Sequence, residues 1–218
     1  MKNRILIFIF LLVSYLSFSQ EIDNDLLFIK ERLDSVVSYT ADIDLETDIS
    51  FINMPRKKAE VAYSKGEDLK FSSDDFVMLP KRGLDFSLGE LFKYSFITVL
   101  RGKKNIDGID HKVLNIIPTD RKADFSIATL YLDLEKKRIS VAEISTKKNG
   151  TYLISLQYEK DKNVLPNLVE VSFEIERLTI PLNFMGKGAK IDRKELKKDT
   201  AKEGKIYLFI SNYKIFKN

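Results

Sequence analysis

Between Leu26 and Asn53 the hydrophobic pattern changes period once. Leu26, Ile29, Leu33, Val36 and Val37 recur at helical spacing, with Glu31, Arg32 and Asp34 on the opposite side, which predicts one amphipathic helix. Asp23 or Asn24 stands where its N-cap belongs. After Thr40 the period becomes two. Ile43, Leu45, Ile49 and Phe51 fall on one face and Asp42, Asp44, Glu46 and Asp48 on the other, which predicts a long strand running to Asn53.

Most of the chain beyond Asn53 alternates in the same way. Ala59, Val61 and Tyr63 lead through the Lys65-Gly66-Glu67-Asp68 turn to Leu69 and Phe71, a hairpin. Further strands are expected at Tyr94–Arg101, His111–Ile117, Phe125–Asp133, Arg138–Thr146, Thr151–Tyr158, Val169–Ile175 and Ile206–Ile215. Turns at Asn105–Gly108, Glu135–Lys137, Asn149-Gly150 and Leu165-Pro166 separate them. This makes about ten strands by pattern. Two stretches break the alternation. Asp74–Lys93 is rich in large apolar residues and carries a capping-box pair, Ser87 and Glu90, so a short helix is expected there. It reads either as a loop over one mouth of the sheet or as a cap on a closed core. Pro181–Gly204 holds three glycines and seven Lys or Arg residues and reads as an exposed loop, with a helical turn near Asp192–Lys198.

Composition narrows the class. Met1–Ser19 has a basic start at Lys2 and Arg4, a short apolar run and small residues at Ser17 and Ser19, the three parts of a secretory signal. Cleavage is expected near Ser19/Gln20; an uncleaved N-terminal anchor is the alternative. Residues 1–19 are therefore read as signal peptide and 20–218 as a single β domain. Removing Lys2 and Arg4 takes the formal charge from +4 to +2, which is that of a mildly basic exported protein and not of a nucleic-acid binder. Cysteine is absent, which excludes disulfides, zinc–thiolate sites and an N-terminal lipid on cysteine. About 200 residues can support a core without such staples.

The catalytic inventory is thin. The chain has one histidine, His111, and shows no nucleophile-elbow, zinc-protease or phosphate-loop pattern. His111 is read as structural. The aspartate and glutamate face of the first strand is read as solvated, with an oxygen-ligated cation as the alternative. The basic stretch Lys187–Lys205 also carries Asp192, Glu195, Asp199 and Glu203, which argues for a solvated loop over a lipid-headgroup or acidic-partner site. No enzyme, cofactor or metal is expected. Aromatic and apolar strand surface is what the chain has in quantity, with fifteen Phe and nine Tyr. Several strands are apolar on both faces, which fits a half-open sheet around a cavity and fits a plain sandwich equally.

One succession of motifs runs along most of Leu26–Phe216. The helix leads into Asp42–Asn53, and the Ala62-Tyr63-Ser64-Lys65 hairpin with Phe71 comes next. Then come Asp107-Gly108-Ile109 with Val113-Leu114-Asn115-Ile116-Ile117-Pro118, and Leu130-Tyr131-Leu132-Asp133. Asn149-Gly150 with Tyr158 and then Leu165-Pro166 complete it. In this order the chain resembles the LolA-like periplasmic lipoprotein carriers, including the outer-membrane lipoprotein-sorting proteins. The resemblance implies a mainly β fold with a few helices: a curved antiparallel sheet forming an incomplete β-barrel with a helical lid. It also implies an apolar cavity for acyl chains. A carrier of this kind needs a dry apolar surface and no catalytic group.

On that reading the cavity is lined by strand residues Leu45, Phe51, Phe96, Val171 and Phe173. Its lid is drawn from Phe76, Met78 and Leu79 and from Leu88, Leu91 and Phe92. The expected partners are lipoprotein acyl chains or another lipid, with an inner-membrane donor and an outer-membrane acceptor. The carrier is expected to be a non-lipidated periplasmic monomer. A second reading keeps the fold but fills its core, giving a non-catalytic envelope protein-interaction module.

Overall fold

The computed structural model describes residues 22–67, 69–73, 91–148, 150–160, 163–175, 188–192, 194 and 202–217. One helix, α1 (Asn24–Asp34), precedes twelve strands among these residues. They are β1 (Val36–Asp48), β2 (Ile52–Asn53), β3 (Lys57–Ser64), β4 (Lys70–Ser72), β5 (Phe96–Ile106) and β6 (Ile109–Pro118). The rest are β7 (Phe125–Asp133), β8 (Arg138–Thr146), β9 (Thr151–Gln157), β10 (Leu168–Ile175), β11 (Lys190–Ile191) and β12 (Lys202–Lys217).

Asp23 caps α1 through its Oδ1, which accepts the N–H groups of Asp25 at 3.1 Å and Leu26 at 3.4 Å. The helix stops earlier than its spacing predicts. Val36 already opens β1, because the β-branched pair Val36-Val37 favours the pleated surface and Ser35 closes the helix onto Glu31 and Leu33. The predicted strand to Asn53 is likewise two pieces. β1 ends at Asp48, and a tight turn closed by Ile52 N–H on the Ile49 carbonyl starts β2.

Ten strands form one antiparallel sheet in the order β4-β3-β1-β12-β10-β9-β8-β7-β6-β5. β9 to β5 are joined hairpin to hairpin, and β12 inserts between β1 and β10, so the chain's last strand ties its first to the meander. The sheet is curved but not closed: β4 pairs only with β3 and β5 only with β6, so both are edges among the described residues. β2 and β11 make a separate two-stranded ribbon. The turns carry the residues that the sequence marks. Asp107 and Gly108 take positive φ of 52° and 82° between β5 and β6, as a primed hairpin turn requires.

The main core lies on one face of the sheet. Leu114, Leu130, Ala142, Ile154 and Val171 stand in register across β6 to β10 and are all but fully buried. Leu26 and Ile29 of α1 pack into the same cluster, so the helix covers this inner face. A smaller cluster of Ile49, Phe51, Ile52 and Phe173 sits at the β2 end. Gly204 of β12 makes it possible: a Cβ there would stand 2.7 Å from both Ile49 and Phe173. Residues 1–19, Ser87, Glu90 and Asn149 lie outside the described residues, as does most of Pro181–Gly204; Leu91 and Phe92 are helical. No described helix is long and apolar enough to cross a membrane.

Candidate functional site: an apolar cavity with a polar end

A cavity of about 410 Å³ opens on the inner face between the C-terminal half of α1 and the strands β3, β1, β12, β10 and β9. Its interior wall is built from alternate strand positions. Ile43 of β1, Val61 of β3, Leu156 of β9, Val169 of β10 and Leu208 and Ile210 of β12 all point there. Leu69, Phe71 and Phe92 add apolar surface on the β4 side. These positions follow from strand period: Val169 pairs with Leu208 and Leu156, and Leu208 pairs in turn with Leu45.

One end of the cavity is polar. Lys30, Leu33 and Asp34 come from the last turn of α1, Lys65 and Gly66 from the β3–β4 turn, and Val164 to Pro166 from the loop before β10. Four tyrosines belong to this wall: Tyr39, Tyr63, Tyr158 and Tyr213. Tyr39 and Tyr63 are register partners on β1 and β3, with stacked rings 5.2 Å apart; Tyr213 meets Tyr39 edge-on at 5.7 Å. The Tyr158 hydroxyl donates to the Ile139 carbonyl at 2.9 Å and the Tyr213 hydroxyl to the Pro166 carbonyl at 2.7 Å. Burial, and secondarily the phenol of Tyr63, pushes the Tyr39 hydroxyl up to about 12. Burial also raises Tyr158 and Tyr213 well above the usual phenol range. All three are neutral at physiological pH and present O–H groups, not phenolates.

The two lysines at this end are already engaged. Lys30 pairs with the Asp34 carboxylate one turn on, and Lys65 Nζ donates to the Asp34 carbonyl at 2.9 Å. The latter bond satisfies one of the free carbonyls at the helix end.

The residues expected to bind ligand are dispersed. Phe92 lines the cavity. Leu45, Leu91 and Val171 are buried in the main core cluster, and Phe51 and Phe173 in the smaller one. Phe96 is half-buried against the main cluster, tilted on Phe92 at 5.9 Å. Phe76, Met78, Leu79 and Leu88 lie outside the described residues. The tyrosine wall carries no contiguous sequence signature of a site. Tyr63, Tyr158 and Leu165-Pro166 are legible as motif pieces, but Tyr39 is hidden by reading Val36 and Val37 as helix.

Elsewhere the candidate chemistry is occupied by structure. His111 is buried, and its Nδ1 donates to the Ile109 carbonyl at 2.9 Å. On the acidic face of β1, Arg56 pairs with Glu46 and lies 3.6 Å from Asp44, and Asn212 Nδ2 donates to Asp42 at 2.6 Å. Among the described residues no group of three His, Asp or Glu is placed to hold a metal.

The same architecture occurs in a solved domain assigned to the outer membrane lipoprotein-sorting proteins, from Vibrio parahaemolyticus. The two share 12% identity and a TM-score of 0.50, over 88% of this chain and 93% of that one. The fold is LolA-like. A LolA superfamily protein from Nitrosomonas europaea superposes at TM-score 0.49 with 11% identity, over 87% of this chain and 93% of its own. A DUF1329 family protein from Desulfovibrio piger gives 0.49 and 11%, over 90% and 94%. No protein-family model and no curated protein matches the sequence.

Proposed function

We propose that the protein is a non-catalytic carrier, exported to the periplasm, that shelters the acyl part of a lipoprotein or another lipid on its way to the outer membrane. The observation that carries this reading is the cavity of about 410 Å³ on the inner face of a LolA-like sheet. Its volume falls within the range of small-molecule sites. Its interior wall is aliphatic and aromatic, and an acyl chain gains roughly 0.8 kcal/mol per methylene removed from water without needing directed contacts. An open sheet leaves a mouth for loading. On this reading residues 20–218 form the single mature domain, and the carrier exchanges cargo with an inner-membrane donor and an outer-membrane acceptor.

The test is native mass spectrometry of the mature protein prepared from a periplasmic extract without detergent, followed by solvent extraction. An acylated species leaving with the protein is the expected result, and its mass separates lipoprotein from free lipid. A clean apo mass, with no binding of a fluorescent fatty-acyl probe, overturns the proposal in favour of a packed interaction module.

A further inference from the structure

We infer that the polar end of the cavity seats the anionic head, carboxylate or phosphate, of an amphiphile whose chain lies along the aliphatic wall. This rests on the carrier reading and narrows it to one charge class of cargo.

Charge is the first observation. Lys30, Lys65 and Asp34 are the charged residues among the described lining, two cations against one carboxylate. Lys30 takes that carboxylate. Lys65 Nζ donates to the Asp34 backbone carbonyl at 2.9 Å, and a carbonyl accepts a hydrogen bond without neutralising an ammonium. The free carbonyls at the C-terminal end of α1 amount to about half a negative charge, which does not offset a whole cation. On the β3–β4 turn, Glu67 and Lys70 pair with each other and cancel. Register brings one more cation to the rim, since Lys217 of β12 stands opposite Val36, itself a lining residue.

Hydrogen-bond balance is the second. Of the four tyrosines at this end, Tyr158 and Tyr213 give their O–H to backbone carbonyls. Tyr39 and Tyr63 have no hydrogen-bond partner among the described residues, yet both line the cavity side by side, and Lys65 follows Tyr63 by two residues. An ammonium has three N–H donors and no acceptor, so Lys65 keeps two after its bond to Asp34, and each free phenol adds an O–H. A carboxylate or phosphate is the complement, because it accepts several bonds at once and need donate none. An alcohol head would leave the surplus charge uncompensated.

The wall then sets the direction of the chain. Ile43, Val61, Val169 and Leu208 lie on the strand interiors, whereas hydroxyls and charges gather at the α1 and β3–β4 end. A head held by Lys65 and the two phenols leaves its methylenes against the aliphatic strands.

The experiment is displacement of N-phenyl-1-naphthylamine from the mature protein at pH 9, where palmitate is ionised. Palmitate and monopalmitoylphosphatidylglycerol are each expected to displace the dye more tightly than monopalmitoylglycerol, by about three- to tenfold. The order of the two anions tells a fatty-acid carboxylate from a phospholipid head. Lys65 is exposed, and Lys65→Met is expected to remove most of the preference while binding of the dye and of monopalmitoylglycerol stays unchanged. Asp34→Asn frees the charge of Lys30 and keeps the carbonyl for Lys65, so it is expected to tighten both anions severalfold, a gain that damage to the fold would not produce. Raising the ionic strength from about 0.05 to about 0.5 M is expected to weaken the anions and not the neutral lipid. Dye binding with monopalmitoylglycerol equal or preferred, or with the anions indifferent to both substitutions, overturns the inference and leaves the carrier reading standing. Absence of dye binding altogether removes both.

Discussion

Tyr39 and Tyr63 face each other in register across β1 and β3, rings stacked at 5.2 Å, with Tyr213 edge-on to Tyr39 at 5.7 Å. This aromatic row joins the two ends of the chain, since β12 carries Tyr213 and pairs with β1. It also puts phenols in a place where ionisation is penalised.

That placement has a pH consequence. In the unfolded chain a tyrosine ionises near pH 10; in the folded protein burial raises Tyr39 to about 12 and raises Tyr158 and Tyr213 further. A folded-state pKa above the unfolded one means that the stabilisation is complete below about pH 10 and is lost as pH rises toward the folded values. Each buried phenol then costs up to about 1.4 kcal/mol per pH unit. Stability measured by urea titration is expected to fall steeply above pH 10, with a shallower fall in Tyr39→Phe. Equal slopes in the two proteins would place Tyr39 in water.

Filling the cavity separates binding from folding. Ile210 of β12 lines the cavity and is only half-buried. Ile210→Trp directs extra volume into open space, so the cost of overpacking a filled core, typically about 1–3 kcal/mol, does not arise. Acyl-dye binding is expected to drop more than tenfold with the melting temperature within a few degrees of the parent. Loss of stability with unchanged dye binding would mean that the side chain faces packed atoms.

Much of this fold is legible in the sequence, and the failures have local causes. The hairpin Phe125–Asp133 with Arg138–Thr146 follows from two strand-length apolar runs on either side of the Glu135–Lys137 turn, and its observed bounds match. Leu33, Val36 and Val37 satisfy helical spacing and strand propensity at once, and packing of Val36 into β1 decides the matter. Sequence separation hides the site more than chemistry does. Tyr39, Tyr63, Tyr158 and Tyr213 come from four distant segments, and only the insertion of β12 between β1 and β10 gathers them. Strand period also cannot say which inward residues meet a cavity and which meet each other. Val169 lines open space while Val171, on the same face, is buried at 1% exposure.

The turn between β7 and β8 hangs on one buried carboxylate. Asp133 is 1% exposed, its Oδ1 accepts the Lys136 N–H at 3.0 Å, and its Oδ2 lies 3.6 Å from Arg138 Nε. The Arg138 guanidinium in turn lies over the Tyr158 ring at 4.5 Å. Asp133→Ala removes the turn bond and leaves a largely buried cation without its counterion, and a cost of about 3 kcal/mol is expected. Asp133→Asn, which keeps an acceptor for Lys136, is expected to cost less. A double-mutant cycle with Arg138→Met checks the coupling, and an interaction energy near zero would show that the pair is a neighbour relationship only.

The seating of α1 offers the last prediction. Lys112 of β6 reaches the helix start, with Nζ 2.7 Å from Asp23 Oδ2 and 2.6 Å from Asp25 Oδ2. Asp23 is also the N-cap, so one cation holds the residue that organises the first turn. Burial by itself lowers the Lys112 pKa, but the hydrogen bonds and charges of the two aspartates outweigh it and the net shift is upward. The clasp is therefore complete below the unfolded lysine pKa of about 10.4 and is lost as pH rises through the raised folded value. Because the aspartates are partly exposed, Lys112→Met is expected to cost only about 1 kcal/mol globally. Its clearer effect is local: amide exchange at Leu26 and Leu27 is expected to quicken at pH 7 while the β7 and β8 amides are unchanged. Uniform quickening across the sheet would instead make Lys112 a contributor to global stability, with no special hold on the helix beside the cavity.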